Sequence, residues 1–130
     1  MLLSGGDSLL LPIILIGLEY KGLSLQYEAL VDSGADMNLF PWEIANGFGF
    51  EKKDAKRTAL IHGISGEPLQ AYFFDVVISV GGSVRHTTAC AFSEHLPGEN
   101  LGFLGQRGFF DYYRIEFDYA KKGITLWNNS

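Results

Sequence analysis

No stretch of this chain keeps a helical period long enough to build an amphipathic helix of any length. Apolar residues instead come in short runs, many alternating in steps of two and bounded by glycine, proline or a charged pair. Residues 9–18 form the most apolar run and read as a buried strand. After a turn at 19–22, residues 23–31 place Leu23, Leu25, Tyr27, Ala29 and Val31 on one face, so these two runs are expected to pair as a hairpin. Further strands are expected at 58–62 and 69–80, around a tip that holds Gly63 and Gly66. Another follows Gly81 and Gly82 at 84–92, and a closing hairpin joins 114–119 to 123–127. Short helices are expected near 41–45, with Pro41 at a tolerated first position, and near 109–113. The expected fold class is therefore all-β, a closed barrel with one or two short helices.

A length of 130 residues allows one domain, 1–130, with a core over about 9–127. Sixteen glycines, scattered rather than periodic, suit many tight turns, and 47% apolar residues are enough to fill a core. The net charge of −5 comes without any basic run, so no nucleic-acid partner is expected. Cys90 is the single cysteine, which excludes an intrachain disulfide and a cysteine-based metal site. Within Thr88, Ala89, Ala91 and Phe92 it reads as a small buried hydrophobe. The run 9–18 contains Pro12, is too short to span a bilayer and has no positively charged leader. The expectation is a soluble cytoplasmic protein without a membrane partner.

The residues that carry chemistry begin at Asp32, an acid placed directly after the apolar Leu30 and Val31. A lone buried carboxylate is expensive, so it is a poor choice for packing. It makes sense where an acid must be held on a rigid strand end with restricted water. Ser33 can hydrogen-bond near it, and Gly34 lets a second backbone approach. An ordinary Asp-Ser-Gly turn would look the same in isolation. The pattern has an echo: Phe103 and Leu104 run into Gly105 as Leu30 and Val31 run into the Asp32 loop.

Other motifs fall away on their own chemistry. Ser65 lies between Gly63 and Gly66, but a nucleophile elbow needs glycine two residues after the serine, where Glu67 stands. Asp32, Asp36, Asn38 and Glu43 have only partial calcium-loop spacing, because Gly34 and Met37 occupy positions that such a loop needs otherwise. His62, His86 and His95 have no metal-ligand spacing with one another or with Cys90. No metal or cofactor is expected.

The ordered set of Asp32-Ser33-Gly34-Ala35, a glycine-tipped hairpin, and Phe103-Leu104-Gly105 about seventy residues on resembles the retropepsin-like aspartic peptidases. So does the stretch from Leu104 through Phe110 into the closing hairpin, and the resemblance spans nearly the whole chain, from about Leu9 to Trp127. It implies an aspartic endopeptidase acting on a peptide or protein substrate. Asp32 would be the catalytic acid, with Ser33 fixing the loops of two subunits and Gly34 offering its carbonyl to substrate. Ala35 and Asp36 would contact substrate main chain. His62, Gly63, Ile64, Ser65 and Gly66, within a flap at 61–67, would close over it, and Phe103, Leu104 and Gly105 would support the catalytic loop. One such acid per chain implies a homodimer. The sequence departs from the family in placing Gln106, then Arg107, after Gly105, where retroviral enzymes have arginine at once. His62 and Pro68 flank the flap tip, and the terminal hairpin is longer than a single interface strand. The same fold used as a catalytically silent dimerisation or peptide-binding module is the alternative.

Overall fold

The computed structural model describes residues 13–32, 34–61, 68–81, 84–94, 96, 101–118 and 123–128, the strand residues 115–118 and 123–128 by backbone alone. Nine strands are described: β1 Ile13–Tyr20, β2 Leu23–Val31, β3 Leu39–Pro41, β4 Arg57–Ile61, β5 Leu69–Val80, β6 Val84–Ser93, β7 Gly102–Leu104, β8 Tyr113–Asp118 and β9 Gly123–Asn128. One short helix, α1 Trp42–Gly47, and a 3-10 turn, Lys52–Asp54, join β3 to β4.

The first hairpin forms as its alternation requires. Lys21 and Gly22 take positive φ at its turn, and β1 and β2 pair antiparallel from Ile13 opposite Leu30 to Tyr20 opposite Leu23. Six strands then close a ring in the order β1, β2, β7, β3, β6, β5, completed where Gly17, Leu18 and Glu19 of β1 meet Ser79, Ile78 and Val77 of β5. β4 lies outside the ring as an antiparallel partner of β5, and β8–β9 make a separate two-stranded sheet. This is the expected closed all-β barrel with one short helix.

The interior is apolar and aromatic. Ile16, Leu18, Val31, Phe40, Val76, Ile78, Phe92, Leu104 and Phe109 are buried there, and Phe50 stacks on Phe74 with centroids 4.2 Å apart. A second cluster, Leu39, Ala71, Phe73 and Ala91, takes the alternate positions of β3, β5 and β6, and so packs on the other face of the sheet. Cys90, Ala91, Phe92 and Ser93 are all buried as a result, because this end of β6 is covered on both sides.

Three local expectations need correction. The run read as a buried strand is one-sided where it is described: Ile16 and Leu18 are buried, while Ile13 and Leu15 are 42% and 54% exposed. Its residues 9–12 lie outside the described residues. Pro41 caps α1 from extended backbone, φ −63° and ψ 147°, so the helix starts at Trp42. The helix expected at 109–113 is a set of turns. Phe110 and Asp111 reach back five residues, to the carbonyls of Gly105 and Gln106. Only Tyr113, donating to Phe109, makes a bond of α-helical span.

Candidate active site

Asp32 stands one residue past the end of β2, and β7 explains why it is held there. β7 runs parallel to β2, with Ala29, Leu30 and Val31 opposite Gly102, Phe103 and Leu104, and it pairs antiparallel with β3 on its other side. The strand that carries the echo of the Asp32 pattern is thus wedged between the two strands that the Asp32 loop connects. The backbone N–H of Asp32 donates to the Leu104 carbonyl at 2.9 Å. Its carboxylate Oδ1 accepts the N–H of Gly34 at 2.9 Å, and its carbonyl accepts the N–H of Ala35 at 3.0 Å. The acid is therefore half-buried and locally oriented, while Gly34 and Asp36 are exposed.

The two loops are joined rung by rung beyond the strands. Gln106 N–H donates to the Ala35 carbonyl at 2.9 Å and Arg107 N–H to the Asp36 carbonyl at 2.8 Å, while Met37 and Arg107 form a parallel bridge. Gly105 sits at the closest approach. A Cβ built on it would lie 2.6 Å from the Met37 carbonyl oxygen and 2.7 Å from the Ala35 carbonyl oxygen. Only glycine fits there.

Asn38, which the sequence offered only as part of a discarded calcium pattern, is the residue that locks this junction. It is fully buried. Its Oδ1 accepts the N–H of Gly105 at 3.0 Å, and its Nδ2 donates to the Cys90 sulfur at 3.7 Å. Burial pushes the Cys90 thiol up to about 12, with the Asn38 bond working against that shift. The thiol is a neutral packing and hydrogen-bonding group. No sequence signal marks Asn38, because its partners are 67 and 52 residues away.

The geometry thus gathers Asp32, Gly34, Ala35, Asp36, Leu104 and Gly105 in one place, with Phe103 on the neighbouring face of β7. Ser33 lies outside the described residues, as do His62, Gly63, Ile64, Ser65 and Gly66. The arms of the expected flap are described: β4 and β5 pair from Arg57 opposite Phe73 to Ile61 opposite Leu69. Ile61, Ala59, Met37 and Phe103 pack on the second apolar cluster, which links this hairpin to the Asp32 loop. Among the described residues, no three or more of His, Cys, Asp and Glu are grouped to hold a metal ion.

The fold is thus a closed six-stranded barrel in which β7 lies wedged beside the Asp32 loop. The chain is similar to a retropepsin-like aspartic protease from Rickettsia conorii, solved as a crystal structure, with a TM-score of 0.58. The match covers 88% of this chain and 89% of that one at 16% identity, a likeness of fold. No protein-family model matches the chain, and no curated protein matches it.

Proposed function

We propose that the protein is an aspartic endopeptidase in which Asp32 of two identical subunits activates one water for attack on a peptide bond. The observation that carries this is the placement of Asp32. Its carboxylate is oriented by the Gly34 N–H, at a strand end tied to Leu104, beside a glycine junction that no other residue fits. The Asp32–Gly34 bond alone is the bond of an ordinary Asx turn. Its anchoring to Leu104 beside the Gly105 junction supports general acid–base chemistry, which needs an acid held in a fixed position.

The reaction needs two carboxyl groups on one water, one taking its proton while the other protonates the scissile carbonyl oxygen. Carboxyls about 3 Å apart cannot both ionise and therefore share a proton. The chain contains a single Asp-Ser-Gly, so a two-fold axis through the Asp32 loops supplies the second acid. Ser33 is assigned to fixing the two loops together. Gly34, Ala35 and Asp36 are assigned to the substrate main chain, and 61–67 to a flap over it. Only the singly protonated pair is competent, so the rate should peak at mildly acidic pH.

The test is cleavage of an unfolded protein by wild type and by Asp32→Asn. The variant should retain the fold and lose the activity, and cleavage at the wild-type rate would remove Asp32 from the mechanism. No cleavage by either, with the fold intact, would favour the silent binding module. Mixing equal amounts of the two proteins, after full subunit exchange, should leave about a quarter of dimers with both acids, halving specific activity per wild-type chain. An undiminished value would sink the shared site.

A further inference from the structure

The barrel side of β6 carries polar residues in steps of two. His86, Thr88 and Cys90 stand opposite Ile78, Val76 and Phe74, all three core residues. Polar groups on an apolar wall are unfavourable unless they find partners; His86 and Cys90 find theirs at the loops around Asp32, and Thr88 lies against the same turn. Cys90 accepts from Asn38. Thr88 flanks Gly108, where a Cβ would lie 2.9 Å from its Oγ1 and 2.5 Å from the Asn38 Nδ2. His86 Nε2 lies 2.7 Å from the Gly108 carbonyl oxygen, and its Nδ1 lies 2.9 Å from the Tyr113 hydroxyl.

Those contacts fix the proton positions. A carbonyl oxygen only accepts, so Nε2 carries the hydrogen, and in the neutral ring Nδ1 must accept from Tyr113. The ring also stacks on Tyr112, with centroids 4.0 Å apart. Gly108 is held at its other end as well, its N–H donating to Asp111 Oδ1 at 2.9 Å. Its φ of +96° keeps it in a conformation that side chains disfavour. It directly follows Arg107 and Gln106, the residues whose N–H groups hold Asp36 and Ala35.

We infer that His86 is a positioning residue for the Asp32 loop: oriented by Tyr113 as the Nε2–H tautomer, it clamps Gly108 and so fixes the 105–108 turn against Ala35 and Asp36. Its kinetic consequence rests on the peptidase reading above. The clamp favours the neutral ring, since an imidazolium would point Nδ1–H at a hydroxyl that must turn to accept it. Burial disfavours that charge, and the Gly108 carbonyl and Asp111 carboxylate oppose burial only in part, so the ring titrates below its ordinary value. Among the described residues, Tyr112 and Tyr113 are further titratable groups in contact with it, and the neighbouring Arg85 is engaged by Glu19 instead.

The test compares His86→Ala, His86→Gln and Tyr113→Phe with wild type on one peptide. His86→Ala should lower kcat by about tenfold or more, with KM changed less than about twofold. His86→Gln should recover most of that loss, because its amide can still donate to Gly108. Tyr113→Phe removes a bond to the neutral ring, so it should move the acid limb of the kcat profile to higher pH. Ring nitrogen NMR of wild type should show the proton on Nε2. A wild-type kcat for His86→Ala, a glutamine variant no better than alanine, or a proton on Nδ1 would each overturn the inference. If wild type shows no Asp32-dependent cleavage, the peptidase reading fails, and amide exchange then decides the clamp alone. His86→Gln should exchange at Gln106 and Arg107 close to wild type, with Tyr113→Phe faster; equal protection in all three proteins would refute it.

Discussion

Gly105→Ala tests how tightly the two loops are joined. The new methyl would lie 2.6 Å from the Met37 carbonyl oxygen, 2.7 Å from the Ala35 carbonyl oxygen and 2.7 Å from the Met37 nitrogen, all backbone atoms. Real Cβ atoms essentially never come nearer than 3.0 Å, so something must retreat at three points together. Ala35 cannot move alone, because its carbonyl accepts from Gln106, nor can Gly105, whose N–H is held by Asn38. Overpacking of this kind costs about 1–3 kcal/mol. Leaving the buried Asn38 oxygen without its donor adds about 1–3 kcal/mol. The expected loss is about 2–6 kcal/mol, a large part of a small domain's stability. In urea, with m about 1.5 kcal/mol/M, the midpoint should fall by about 1–4 M. Gly47→Ala serves as the control: nothing lies within 4 Å of a Cβ there, and it ends α1, so stability should hold or rise by about 0.5 kcal/mol. A Gly105→Ala protein within about 1 kcal/mol of wild type, at unchanged m, would refute the close-approach reasoning.

Cys90 should be unreactive towards thiol reagents in the folded protein and react on unfolding in urea, because it is fully buried and its thiol is pushed up to about 12. Rapid labelling of native protein would contradict this. Its folded value lies above its ordinary 9.0, so the stability it contributes is complete below pH 9 and is lost as pH rises towards 12; Cys90→Ala should flatten that alkaline loss in urea titrations. His86 has the opposite sign for a base: its folded value lies below 6.5, so the unfolded chain binds the proton first and stability falls as pH drops below 6.5. His86→Gln should reduce that acid-side slope, and an unchanged slope would assign it to other groups.

The strands were legible because each face announces itself locally. The bounds 69–80 hold for β5, and the alternation of β2 fixes which side of it meets the core. Burial on one side or two was not legible: Ile13 and Leu15 are as apolar as Ile16 and Leu18, and only the pairing of β1 shows which half of the run faces out. The Asp32 loop and its Gly105 support were visible as matching strand ends, since backbone close approach leaves glycine as its mark. Asn38 and His86 left no mark, because a buried polar side chain is defined by partners that only the closed barrel brings to it. The turn at 109–113 misled for a related reason, its apolar residues serving the core from a backbone bonded to Gly105 and Gln106.

The wedging of β7 between β2 and β3 also sets an order in time. Hairpins β1–β2 and β5–β6 join neighbouring segments and can pair as soon as both arms exist, whereas the Asn38–Gly105 bond closes a span of 67 residues. Distant pairings of this kind are the slow steps in forming β-rich domains. A chain emerging from the ribosome would already have completed β1 to β6 while lacking Leu104, the acceptor for the Asp32 N–H. The acid would stay on an unsupported loop until nearly all the strands of the barrel had been made. An unfinished or truncated chain ending before β7 would therefore carry Asp32 without the framework that orients it.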